Sequence, residues 1–234
     1  MARFRNIKPR LLAALRSEGW EAALDEFSDV PPEQLVSPLA SFLIRGGLEK
    51  HRAAYALGMA VSRMAGESME QARVFMRRLI WNLCEESGTL GWGSPEAMAE
   101  ILAADGRLAR EYNRVLISYS LETGNDDNFI EHTPLRRGAV WGAARLAQAR
   151  PELAGTALPA FIAGLKAPQE TNEAPDPQIQ GYSAWGLGCL GAKEAVPHLE
   201  PLAGDDTEIE LFRDKEFFTT TVGALVRETL ERLA

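Results

Sequence analysis

The residues best suited to chemistry gather in a few stretches. NLCEESGTLGWGSPEAM places Glu85 and Glu86 at a helix end, before a glycine-rich stretch that holds Trp92. Paired carboxylates can do acid–base work. Adjacent residues on a helix, however, point about 100° apart, so this pair does not share a face. Trp92, set between glycines, either plugs a gap between neighbouring elements or meets a ligand. GNDDNFIEHTPLRR brings Asp126, Asp127, Glu131 and His132 close to Arg136 and Arg137. It lacks the alternating oxygen ligands, central glycine and twelfth-position glutamate of a calcium loop. Asn125 to Asn128 therefore read first as a turn in which Asn and Asp bond their own backbone, with a metal or ligand loop as the alternative. The two arginines begin a helix against its dipole. Their expected partners are the acidic side chains just upstream; left unpaired, they would suit a carboxylate or phosphate. Arg73 and Arg77 lie four apart on one helix, and Arg110 and Arg114 four apart on the next. Such a basic ladder is either a solvated face paired with nearby glutamates or a groove for an anionic partner such as an acidic peptide.

No nucleophile elbow, zinc-protease motif, phosphate loop or dinucleotide fingerprint is present. His51, His132 and His198 show no paired ligand spacing. The expectation is no catalytic residue, no metal and no cofactor. The net charge of −8 disfavours nucleic acid as a partner. No run approaches the ~20 apolar residues that cross a bilayer. The basic, then apolar N-terminus is interrupted by Arg16 and Glu18, and reads as an amphipathic helix rather than a signal peptide. Cys84 and Cys189 both read as buried core thiols, which fits a reducing, cytoplasmic setting. A hydrophobic share of 46% is enough for a packed core.

The elements that would position these residues are nearly all helical, because apolar residues recur at i, i+3, i+4 and i+7. Met69, Ala72, Met76, Leu79 and Leu83 form one such stripe; Leu108, Tyr112, Val115 and Tyr119 form another. Ser94-Pro95, Thr133-Pro134 and Asp176-Pro177 each set a capping side chain before a proline. An apolar residue followed by a small one recurs as Leu57-Gly58, Leu102-Ala103, Trp141-Gly142, Trp185-Gly186 and Val222-Gly223. These pairs are spaced 45, 39, 44 and 37 residues apart. A period near 40 in a helical chain indicates stacked helix pairs of the HEAT or armadillo kind. A glycine repeated at one phase then reads as a place where a neighbouring helix comes close.

The expected layout has capping helices at 8–17, 19–28 and 31–45. Four pairs follow, 50–65 with 68–87, 95–103 with 105–122, 134–149 with 152–165, and 177–190 with 192–203, and a last helix covers 216–232. Pro159 and Pro197 open second helices harmlessly, whereas Pro201 should shorten or kink its helix. Turns within pairs are short. The connections between pairs (88–93, 124–132, 167–175 and 204–215) are long, and in a solenoid they share one edge, which often marks the binding side.

The segment Asp176 to Gly188, DPQIQGYSAWGLG, resembles the first helix of the HEAT repeats of phycobilisome-lyase-type proteins. Ala195-Val196-Pro197-His198-Leu199 and Ala157-Leu158-Pro159-Ala160-Phe161 resemble the second helix. The likeness is good over 134–204, weaker over 50–133 and absent before about 48. It implies an all-α, right-handed α-solenoid of about four HEAT-like pairs, capped at both ends. With no Gly- or Ser-rich linker to divide it, the chain reads as one domain over 1–234, with caps over 1–48, pairs over 49–204 and a C-terminal loop and helix over 205–234. The motif carries no catalytic residue. Its usual first-helix arginine is kept as Arg52 and Arg136 but is Gln180 beside Tyr182, a weak pointer to a site. Second helices line the concave face in such solenoids, which would put Arg73, Arg77, Arg110 and Arg114 along the groove. The expected function is a non-catalytic adaptor that binds a protein or peptide, acidic ones among the candidates, through the groove and the long-loop edge. The alternative is an enzyme or cofactor-handling protein related to HEAT-type lyases, with Glu85, Glu86, Trp92, His132, Arg136 and Arg137 meeting at one end. A structural subunit is a third reading, and none of these fixes an oligomeric state.

Overall fold

A computed structural model of the protein describes residues 7–84, 91–123, 128–166 and 174–234. The chain is all-α and of the helical-repeat solenoid class; a two-stranded hairpin is the one sheet among the described residues. It divides into two compact units, Met1–Leu108 and Ala109–Ala234.

The first unit holds α1 (Ile7–Arg16), α2 (Trp20–Leu24), α3 (Pro32–Ala40), α4 (Gly47–Glu67), α5 (Met69–Cys84) and α6 (Ser94–Ala104). The expected second and third capping helices are shorter, and each is followed by a 3-10 turn, at Asp25–Phe27 and Leu43–Arg45. α4 is the centre of the unit. Its Ala53, Ala54, Leu57, Ala60 and Val61 are buried, and at Gly58 it meets α6. A Cβ on Gly58 would lie 2.6 Å from the Glu100 carbonyl oxygen, so here the glycine does admit a neighbouring helix. Two arginines of α4 tie down the segments before it. Arg52 donates to the carbonyls of Leu15 and Ser17 (2.7 and 3.1 Å), and Arg63 to those of Phe27 and Val30 (3.3 and 2.8 Å).

α7 (Gly106–Ser118) begins at the end of the first unit. Asp105 opens it, accepting from the backbone N–H groups of Arg107 and Leu108. The second unit continues with α8 (Thr133–Ala149), α9 (Pro151–Ala154), α10 (Leu158–Gly164), α11 (Pro177–Leu190), α12 (Val196–Leu199), strands β1 (Glu208–Arg213) and β2 (Glu216–Thr221), and α13 (Val222–Leu233). The expected second helices 152–165 and 192–203 are broken into short α and 3-10 pieces. Pro159 and Pro197 sit in first turns, and Pro201 falls in a 3-10 turn at Glu200–Leu202. α11 is buried on every side from Ile179 to Cys189, which is why it needs Gly186: a Cβ there would lie 2.5 Å from the Phe161 ring of α10.

The expectation of a loop over 204–215 followed by a helix over 216–232 is overturned. Residues 208–221 form an antiparallel hairpin, and the helix starts only at Val222. Phe217, Phe218 and Thr219–Thr221 are aromatic and β-branched, the residues that suit a pleated, half-buried strand. Ile209 and Leu211 alternate with exposed glutamates along β1. The turn residues Asp214 and Lys215 both take positive φ (53° and 68°), as a two-residue hairpin turn requires. Val222-Gly223 therefore opens α13 rather than lying within a helix. Two caps are also displaced. Asp176 caps α11 by accepting from the Ile179 N–H (3.0 Å), but Ser94 and Thr133 are already inside their helices, and Gly93 and His132 hold the cap positions.

Candidate functional site

α5 forms because one stripe of it is apolar. Ala72, Phe75, Met76 and Leu79 are buried. The opposite stripe, Gln71, Val74, Arg78 and Trp81, follows the helical spacing i, i+3, i+7 and i+10 and faces outward. Trp81 is 67% exposed and Val74 54%. At about 1.5 Å per residue these two stand about 10.5 Å apart along the axis, with Arg78 between them. Burying large apolar side chains is worth roughly 1.5–3 kcal/mol each, so the fold forgoes that stabilisation at two positions of one helix face.

The charge of α5 opposes that of the chain as a whole. It carries Arg73, Arg77 and Arg78 against Glu70 alone, a net +2 in a protein of net −8. Glu70 takes Arg77 at 2.7 Å and Arg73 at 3.7 Å. The hydrogen bond from Arg77 and the two nearby guanidiniums hold the Glu70 carboxyl below the usual carboxylate range. Among the described residues no ion pair or hydrogen bond engages the Arg78 side chain.

α4 begins just after the 3-10 turn Leu43–Arg45. This turn packs on the start of α6: a Cβ on Gly93 would lie 2.7 Å from Leu43 Cβ. The flanking residues Ile44 and Trp92 are 63% and 36% exposed. Lys50 of α4 donates to Glu96 of α6 below them, a pair whose carboxylate is buried. His51 beside it is buried, and burial followed by the charge of Lys50 pushes its pKa well below the usual histidine value.

The sequence-derived candidates fall as follows. Glu85, Glu86, Asp126 and Asp127 lie outside the described residues. Arg73 and Arg77 share Glu70, and Trp92 stands at the α6 end of the first unit. In the second unit Arg110 and Arg114 are exposed on α7, and His132 is exposed at the start of α8. Among the described residues Arg136 makes no ion pair with an acidic side chain. It donates to the carbonyls of Ile130 and Glu131 (3.2 and 3.0 Å) and to the Thr133 hydroxyl, and lies over the Phe129 ring. Arg137 makes a longer-range pair. It grips Asp176, one repeat further on, through Nε (3.0 Å) and a second guanidinium nitrogen (2.7 Å), and this hydrogen bond raises its pKa. Gln180 is buried and donates to the Leu165 carbonyl (3.0 Å). Arg52, Arg136 and Gln180 thus act alike in donating to backbone carbonyls earlier in the chain than their own helices. Tyr182 is buried, its hydroxyl donating to the Glu210 carbonyl of β1 (3.0 Å).

The expectation for the cysteines holds at one position only. Cys189 is buried, and burial raises its thiol pKa; Cys84 is exposed at the end of α5. Among the described residues no three His, Cys, Asp or Glu side chains gather as metal ligands. A cavity walled by Trp185, Arg213, Glu228 and Arg232 measures about 10 Å³, room for one water. No helix among the described residues is long and apolar enough to cross a membrane. Val74, Arg78 and Trp81 were not singled out by the sequence, although their spacing off the Ala72–Met76–Leu79 stripe marks the outward face.

No family model matches the chain, and no curated protein matches it. Among solved structures it is similar to a designed armadillo repeat protein, at 16% identity over 97% of this chain and 99% of the other, with a TM-score of 0.47. It is similar to computationally designed armadillo repeat proteins for modular peptide recognition, at 16% identity over 97% and 99%, with a TM-score of 0.48. An engineered protein aligns at 16% identity over 97% of this chain and 94% of the other, with a TM-score of 0.46.

Proposed function

We propose that the protein is a non-catalytic, HEAT-like repeat adaptor that binds an acidic segment of a protein or peptide through the outward face of α5. The observation that carries this reading is the exposed Val74 and Trp81 on a helix of net +2. Exposed aromatic and arginine side chains are the residue types that dominate binding energy at protein interfaces. Ile44 and Trp92 are further exposed apolar side chains of the first unit.

Selection from a random peptide display library on the immobilised protein tests the proposal. Enriched peptides should be acidic, and Trp81→Ala should abolish their binding while leaving the circular dichroism spectrum unchanged. Enrichment that survives both Trp81→Ala and Val74→Ser would overturn it.

A further inference from the structure

Resting on that reading, we infer that the row Val74, Arg78 and Trp81 reads an acidic helix of the partner, carrying two apolar side chains seven residues apart and one carboxylate between them. The three side chains sit at i, i+4 and i+7 and form one ridge. A partner helix laid along that ridge repeats the same rise, so apolar residues at its positions i and i+7 span the same ~10.5 Å. Its residue at i+3 or i+4 then faces Arg78. Arg78 is suited to this role because Arg73 and Arg77 beside it already hold Glu70, whereas its own guanidinium is exposed with no partner among the described residues. A guanidinium flanked by apolar contacts favours a carboxylate, because the contacts exclude water from around the ion pair and strengthen it.

The test uses the full chain and three synthetic peptides of about twenty residues, longer than the limit below which isolated helices fail. The first is alanine-rich, with leucines seven apart and glutamate between them. The second has lysine in place of that glutamate. The third keeps the glutamate and adds a central proline that breaks the helix. Wild-type protein should prefer the first over the second by about tenfold, the size of a close interfacial charge pair, and should bind the third weakly. Arg78→Glu should reverse the preference toward the lysine peptide, and Trp81→Ala should weaken both. If Arg78→Glu leaves the preference unchanged, or the proline peptide binds as well as the first, the inference is wrong. The adaptor reading then still stands on the peptides selected by display. If neither selected nor designed peptides bind, both are wrong.

Discussion

The two units treat large apolar side chains in opposite ways. Trp141, in the second unit, is 1% exposed and packs against Trp185 and Phe212, with its indole N–H donating to the Phe212 carbonyl at 2.9 Å. Trp81, in the first, is 67% exposed. Every strongly exposed large apolar side chain among the described residues (Ile44, Met59, Val74, Trp81 and Trp92) belongs to the first unit. The second uses a hairpin to cover what a repeat helix leaves open. Ile209 and Leu211 of β1 are buried, and a Cβ on Gly181 of α11 would lie 2.1 Å from Ile209 Cδ1. The difference separates two jobs within one repeat design: packing is completed in the second unit and left incomplete on one face of the first.

The largest effect should come from exchanging the two tryptophans for alanine. Trp141→Ala should cost about 4 kcal/mol, from lost burial and the cavity left behind. Trp81→Ala should change stability by less than about 0.5 kcal/mol. Urea denaturation of both variants checks this, and equal losses would remove the contrast between the units.

A smaller effect tests the close approaches. Gly58→Ala must push a methyl against the backbone of Glu100, which cannot turn away, and should cost about 2 kcal/mol. Gly186→Ala meets the side chain of Phe161, which can move, and should cost about half as much. Comparing their urea midpoints shows whether the first unit is the tighter of the two between its helices.

The smallest effect is acid sensitivity of the first unit. Burial holds His51 neutral, so its folded pKa lies below the unfolded value of about 6.5. Its contribution is complete above pH ~6.5 and is lost as pH falls from there through the folded pKa, by at most about 1.4 kcal/mol per pH unit. Urea midpoints measured from pH 7.5 to 5 should fall for the wild type and fall less steeply for His51→Gln. Parallel slopes would show that His51 is not the group responsible.

The helices and their close approaches were legible in the sequence because they repeat. Gly58 and Gly186 fall at one phase of the ~40-residue period, and both lie against a neighbour. The hairpin was not, because the same period points past the β-forming run Phe217–Thr221 to the periodic residues of α13. Candidate site residues were chosen by chemical type, and type alone does not tell a used side chain from an available one. In the sequence Arg137 is expected to pair with the acidic side chains just upstream and Gln180 is a pointer to a site; they are engaged with groups 39 and 15 residues away. Trp81 was not singled out, and it faces out at 67% exposure. Long-range pairing and the choice of helix face are decided by neighbours that local spacing does not specify.

The hairpin also limits how the second unit could be lengthened. A helix satisfies its own carbonyls internally, whereas β1 offers the carbonyls of Glu210 and Phe212 sideways to Gln178, Tyr182 and Trp141. Another helix pair in that position would leave a buried indole N–H and a buried phenol without acceptors, at roughly 1–3 kcal/mol each. Repeats therefore could not be added after α12 by copying an earlier pair; α11 and Trp141 would have to change with them, so the repeat number is written into side chains well upstream of where the count stops.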